Sequence, residues 1–381
     1  MDKPRIELLD SFRFIAILCV LLYHYTERWS SMYPYGHSFH HIFSFGFLGV
    51  EFFFMISGFV ISYTLENTPS LVSFCTNRFS RLFPPMVLCT IITYIVVRTL
   101  DNHFLFANAH KIKNFLPSLT FINPTIWTLL IKKDFAWING SYWSLWMEIQ
   151  FYAISSVVFF LNKKYFFRNI LIVGMAVSIS KYVPIYFLNS HIAYFHTNNW
   201  VIFLTGWKHG NELFNIPFFI AWFLPGVIFY QLYKGFRFAG HVFTGICAVA
   251  VIVYLPLEIQ VWHTYSLYTH IACFIMLILF MLMIYKKKYL FFLENPILKR
   301  IGVISYSIYL IHETIGVLLI NKYAGYLGSL SVLSPFIMII LATGFAELSY
   351  RFYERKASLL LKKIFHSQAT AGNMSLIKRE R

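Results

Sequence analysis

The sequence predicts an all-α integral membrane protein, a polytopic transmembrane helical bundle of about ten spans with cytoplasmic N- and C-termini. Three observations carry that expectation. Of the 381 residues 58% are hydrophobic and only 13% are charged, too few charges to cover a water-facing surface. The apolar runs recur along the whole chain, and several approach the roughly 20 residues that cross about 30 Å of hydrocarbon. They are also continuous, whereas the strands of a lipid-facing barrel alternate polar and apolar residues.

The runs fall at 10–26, 44–63, 82–98, 142–161, 168–188, 213–233, 239–256, 267–285, 301–320 and 332–350. The first, within RIELLDSFRFIAILCVLLYHY, reads as a span and not a signal peptide, because no small-residue cleavage site follows and another apolar run begins soon after. The second contains GVEFFFMISGFVI. NRFSRLFPP leads into the third, with Arg78 and Arg81 close to one face of a juxtamembrane helix just before Pro84 and Pro85 restrict the backbone. Segment 115–130 is interrupted by Pro117, Asn123 and Pro124 and flanked by Lys132 and Lys133, the pattern of a re-entrant or interfacial segment. The fourth span opens with NGSYWSLWMEIQFYAI. Spans five to eight are plain apolar runs with basic flanks, the ninth carries IGVISYSIYLIH, and the tenth leads into the tail. The expected organisation is a membrane domain over 1–355 and a basic cytoplasmic or interfacial tail over 356–381.

Charge placement supports the alternation. With the N-terminus inside, one side receives Lys3, Arg5, Arg78, Arg81, Lys163, Lys164, Arg168, Lys234, Arg237, Lys286, Lys287, Lys288, Lys299, Arg300 and the basic tail. The opposite side receives Arg28, Lys111, Lys113, Lys132, Lys133, Lys208 and Lys322, the asymmetry that the positive-inside bias demands. The net charge of +16 is thus a topology signal with attraction to anionic lipid, and gives no reason to expect nucleic acid. The five cysteines lie in or near apolar runs without metal-like spacing and read as small hydrophobes.

Several polar residues interrupt this apolar plan. His24 follows Arg13 by eleven residues, about 16 Å and close to three helical turns, so both lie near one face of span one, with Asp10 just before them. Glu148, entering from the other direction, approaches the depth of His24, and a carboxylate behind an imidazole holds one ring nitrogen ready to accept a proton. Ser57 and Gly58 allow close backbone approach or a hydrogen bond to a ligand. Arg78 and Arg81, three apart, suit bidentate contacts to phosphates. Taken singly, snorkelling, helix packing and topology anchoring also explain these residues; their gathering favours a site. Tyr306, Tyr309 and His312, spaced by three, put one face of span nine on the same pathway, with His312 and Glu313 in support. Glu51 is expected to be structural or interfacial. His37, His40 and His41 in the first loop are not expected to hold zinc with His24.

In this combination the chain resembles the integral-membrane acyltransferase-3 family. LDSFRFIAILCVLLYH, GVEFFFMISGFVI, RFSRLF, YWSLWMEIQFY and IGVISYSIYLIH carry the resemblance in order from Arg5 to Arg355. The family's Arg and His separated by ten residues fall on Arg13 and His24, its two-arginine motif on Arg78 and Arg81, its FFxxSG element on Phe53, Phe54, Ser57 and Gly58, and its Trp-Ser-Leu with following Glu on Trp143, Ser144, Leu145 and Glu148. The resemblance implies transfer of a short acyl group, acetyl first, from cytoplasmic acyl-CoA to a hydroxyl of a cell-envelope glycan or lipid-linked sugar in the bacterial cytoplasmic (inner) membrane. O-antigen of lipopolysaccharide and a diffusible metabolite such as a macrolide are further acceptors within the family. His24 is then the base, Glu148 its tuning carboxylate, and Arg13 the organiser of the same face. Arg78, Arg81, Ser57 and Gly58 receive acetyl-CoA. Tyr142, Trp143 and Ser144 are candidate oxyanion donors, with Asp10, Tyr306, Tyr309 and His312 toward the substrate. The external hydrolase-like domain of some members is not in this sequence, so transfer is expected in the membrane domain or with a separate partner. A proton-coupled transporter of a glycan or small molecule is the alternative from another class; the lack of convincing inverted half-repeats counts against it.

Overall fold

The structure is a computed structural model and describes residues 6–36, 38–39, 41–184, 186, 199–262 and 267–365. Lys3, Arg5, His37, His40 and the end of the basic tail lie outside the described residues. Among the described residues every regular element is helical. The α-helices are α1 (Leu8–Tyr23), α2 (Gly49–Glu66), α3 (Leu71–Leu100), α4 (Phe115–Thr120), α5 (Pro124–Ile131), α6 (Trp143–Leu161), α7 (Phe166–Ser180), α8 (Asn199–Phe214), α9 (Ile216–Tyr233), α10 (Val242–Trp262), α11 (Leu267–Tyr285), α12 (Pro296–Ile311), α13 (Val317–Tyr323) and α14 (Ser334–Ser349).

Eight helical tracts among the described residues are long and apolar enough to cross a membrane, against about ten expected. The difference has two sources. The expected seventh span lies on α10, a helix of 21 residues of which only Val242–Leu255 enters that count, and the last tract, Pro296–Phe365, is one continuous helical run although it holds both of the last two expected spans. Within it α13 and α14 are separated by a 3-10 stretch, Ala324–Leu333, with Gly328 at a φ of 54° where the chain changes direction. Segment 115–130 folds as the two short helices α4 and α5, split at Phe121, whose φ is 59°. Asn123 caps α5 by accepting a hydrogen bond from the Thr125 amide at 2.9 Å.

The juxtamembrane segment and span three form one element: α3 runs through Pro84 and Pro85 as one helix of 30 residues. The two prolines remove amide donors without ending the helix, because the surrounding helices hold the backbone in place. Arg78 and Arg81 therefore sit on the same helix as the span that follows.

The interior forms around α9, whose apolar residues run round its whole circumference; 83% of its residues are buried. It crosses α2 at reciprocal glycines. A Cβ on Gly58 would strike the Phe223 carbonyl, and one on Gly226 would strike the Met55 carbonyl. Gly302 lets α12 meet the Asp10 carbonyl of α1 in the same way. Small residues at such crossings let helix backbones pack closely where lipid gives no hydrophobic drive. Around them Phe54 stacks on Phe223 with centroids 4.6 Å apart, and Phe151 stacks on the other side at 4.2 Å. Gly58 thus packs against α9 at this crossing.

Candidate active site

Two membrane helices end in π-helical turns that begin on a histidine. α1 passes into His24–Arg28, and α12 passes into His312–Gly316. A π turn widens the helix and re-aims its side chains, and such turns recur at functional sites. Here the two turns are tied together. The Tyr25 hydroxyl donates to the His312 carbonyl at 3.0 Å, and a Cβ on Gly316 would collide with that hydroxyl. Tyr33 and Tyr35 donate to the carbonyls of His24 and Tyr25, at 3.2 and 2.9 Å. As a result the His24 and His312 rings meet edge to face, with centroids 4.8 Å apart.

Between the helices lie two cavities. The first, about 80 Å³, is lined by Arg13, Ser57, Arg78, Arg81, Ser144, Glu148, Tyr152, Tyr306 and Tyr309 among others. Arg13 is held by Asp10 at 2.7 Å. Arg78, buried, donates to Thr64 and lies over the rings of Phe74 and Tyr152 at 5.6 and 5.5 Å. Arg81 is exposed at the surface. Ser57 donates to Glu148 at 2.9 Å, and Tyr152 donates to the same carboxylate oxygen. Three guanidinium groups face one carboxylate here besides the Asp10 that is paired with Arg13, so the cavity favours an anion.

The second cavity, about 240 Å³, is lined by His24, Arg28, Glu51, Gly140, Ser141, Trp143, Trp222, Tyr309 and Glu313 among others. At about 30 Å³ per water molecule it holds a small polar group without rearrangement, whereas the first needs side-chain movement to take more than a few waters. Glu313 faces His24, its Oε1 lying 3.8 Å from Nδ1, and Arg28 Nε lies 3.7 Å from the same oxygen. Both distances exceed a hydrogen bond, so the three groups face one another across open space of the cavity. Gly140 admits the Glu313 carboxylate: a Cβ there would stand 2.9 Å from Oε2.

Val50 and Tyr309 line both cavities. At this junction the Tyr309 and Ser144 hydroxyls are hydrogen-bonded at 2.7 Å, and Tyr309 donates to the Ser141 carbonyl at 2.9 Å. Phe53 packs against the Tyr309 ring at 6.2 Å.

Of the expected site residues, the first cavity gathers Arg13, Ser57, Arg78, Arg81, Ser144, Glu148 and Tyr306, the second His24 and Trp143, and Tyr309 serves both. Asp10 acts on the first through Arg13, and Gly58 packs against α9. Tyr142 is fully buried beside Thr90 and Thr93 and lines neither cavity. His312 is likewise buried behind His24, its Nδ1 2.6 Å from the Tyr309 carbonyl.

The expected pairing of Glu148 with His24 is not found. Glu148 lies four residues beyond Ser144, about 6 Å deeper along α6, and binds Ser57 and Tyr152 in the first cavity. The carboxylate at His24 is Glu313. Sequence reasoning ranked Glu313 as support, read Arg28 only as a topology charge, and gave Glu51 a structural role. The available signal was the spacing of four from Tyr309 to Glu313, which continues the face of Tyr306 and Tyr309 into the turn.

With this geometry in place, comparison with known proteins adds a decisive finding. The sequence model of the family described as "Acyltransferase domain", acyltransferase-3, matches residues 6–350. The chain belongs to the acyltransferase-3 family. The O-acetyltransferase OatA of Staphylococcus aureus (strain NCTC 8325 / PS 47) is 25% identical to this acyltransferase-3 chain over 369 residues, covering 91% of this chain and 56% of OatA. An O-acetyl transferase of Shigella phage Sf6 is 33% identical over 153 residues, 39% of this chain and 44% of the phage protein. The chain thus spans about half the length of the curated relatives it matches. No solved structure matches it.

Proposed function

We propose that the protein is a membrane-bound O-acyltransferase that moves a short acyl group, acetyl first, from cytoplasmic acyl-CoA to a hydroxyl of a cell-envelope glycan or lipid-linked sugar, working in the bacterial inner membrane. The observation that carries this reading is the pair of cavities meeting at Tyr309, one rich in guanidinium groups and the other holding an imidazole beside a carboxylate. Family membership favours it over a transporter.

Arg78 and Arg81 bind the CoA phosphates, with Arg81 at the surface and Arg78 fixed deeper by its aromatic neighbours. The thioester arm passes Ser57 and Glu148 toward Tyr309. Arg13 and His24 mark the two ends of this path on one helix, about 16 Å apart. In the second cavity the acceptor hydroxyl gives its proton to His24 as its oxygen attacks the thioester carbonyl carbon. The new C–O bond forms, the C–S bond breaks, and the CoA thiolate leaves with the proton returned by the imidazolium. Acceptor ester and free CoA are the products. Tyr309 and Ser144, whose hydroxyls meet where the cavities join, serve as donors to the developing oxyanion. Glu313 takes the role expected for Glu148, holding the ring and balancing the imidazolium charge. The basic flanks support cytoplasmic termini and an Arg81 end of the path that opens inward.

Protein reconstituted in lipid with acetyl-CoA and envelope glycan from cells lacking the gene should yield ester-linked acetate and free CoA in equal amounts. Glu313→Gln should slow single-turnover transfer roughly tenfold or more and alter its pH dependence while donor affinity stays unchanged. Glu148→Gln should act on donor affinity instead. The reverse assignment of the two defects, or CoA release without a glycan ester, contradicts this reading.

A further inference from the structure

Glu51 opens α2 in its first turn and lines the second cavity opposite the role it was expected to play. It is only 5% exposed, and its Oε2 has no hydrogen-bond partner. A buried carboxylate oxygen without a partner is costly, and proteins retain such a group where a ligand completes it. Its cavity neighbours say what kind of ligand. Trp143 packs on Phe219 with centroids 4.9 Å apart, and Trp222 joins them in the wall, giving broad apolar faces beside the polar groups His24, Arg28 and Glu313. A pyranose ring has this division of surface, with C–H bonds on its faces and hydroxyls round its edge. Pockets that are mainly aromatic with a few placed polar groups fix the orientation of such a ligand.

We infer that Glu51 anchors the acceptor sugar by accepting a hydrogen bond from a hydroxyl next to the one being acylated, which turns the reacting hydroxyl toward His24. The inference rests on the acyl-transfer reading above and extends it: the second cavity takes a sugar with neighbouring hydroxyls, held by a carboxylate that takes no part in the proton transfer. Glu51 is adjacent in sequence to Val50, which also borders the first cavity, so the acceptor is held just beyond the point where the donor arm emerges.

The test measures glycan and donor separately. Wild-type protein and Glu51→Gln are reconstituted in lipid with labelled acetyl-CoA and the polysaccharide fraction of envelopes from cells lacking the gene. An amide oxygen accepts more weakly than the carboxylate it replaces, so Glu51→Gln should lower kcat/KM for the glycan about three- to tenfold, chiefly through KM, with acetyl-CoA affinity within about twofold of wild type. Glu51→Asp, which keeps the charge but withdraws it, should show a smaller shift of the same kind and serves where the glutamine variant does not fold. Wild-type kcat/KM for the glycan in the glutamine variant, or equal losses in donor and glycan binding, overturns the anchoring role. Wild-type protein that labels no glycan overturns the transfer reading itself, and the anchor with it.

Discussion

His24→Ala protein, reconstituted in lipid, should bind acetyl-CoA as wild type does and transfer acetyl at a single-turnover rate lower by roughly 10² or more. The substitution removes the imidazole from the second cavity while leaving the first, with Arg13, Arg78 and Arg81, intact. Assembly should survive, since the two π turns are tied by the Tyr25 hydroxyl to the His312 carbonyl, Tyr33 and Tyr35 hold carbonyls of the first turn, and none of these bonds uses a His24 side-chain atom. A rapid-mixing measurement of acetyl transfer alongside equilibrium donor binding checks both halves. Normal transfer in a folded His24→Ala protein would remove His24 as the base.

Replacing Arg78 and Arg81 together with alanine should weaken acetyl-CoA binding by roughly 10- to 10³-fold, the loss of two charge-assisted contacts. The single variants should differ. Arg81 is exposed, so Arg81→Ala loses donor affinity with little effect on the fold. Arg78 is buried against Phe74 and Tyr152 and bonded to Thr64, so its loss also leaves polar groups unpaired inside the bundle and lowers stability. Lysine at either position keeps the charge without the planar fork and should recover part of the affinity. Isothermal titration with acetyl-CoA, paired with thermal unfolding, separates the two effects. Unaltered donor affinity in a well-folded double variant would count against the phosphate clamp.

Much of this arrangement was legible in the sequence because it depends on local spacing. Eleven residues between Arg13 and His24 put both on one side of one helix, and the three-residue steps through Tyr306, Tyr309 and His312 set one face of α12. What escaped depends on how helices shift against one another. The π turns at His24 and His312 insert a change of register that no apolar periodicity reports, and they bring Glu313 to the imidazole. Depth in the membrane alone suggested Glu148, yet equal depth on two helices does not mean contact: Glu148 faces Ser57 across α2 and α6. The sequence shows that Pro84 and Pro85 restrict the backbone, but not that α3 runs unbroken through them, because that depends on neighbouring helices. Gly58 carries two readings in the sequence, ligand approach and packing, and its apposition to Phe223 of α9 shows the packing.

The proposed function requires one continuous path from a donor cavity opening on one side of the membrane to a transfer cavity toward the other. Sealed proteoliposomes test it most directly, with acetyl-CoA enclosed in the lumen and the envelope glycan supplied only outside. The account predicts ester-linked acetate on the external glycan, with free CoA accumulating inside and no donor leakage. Absence of external ester, from protein that acetylates the same glycan once the vesicles are opened, would contradict a path across the membrane.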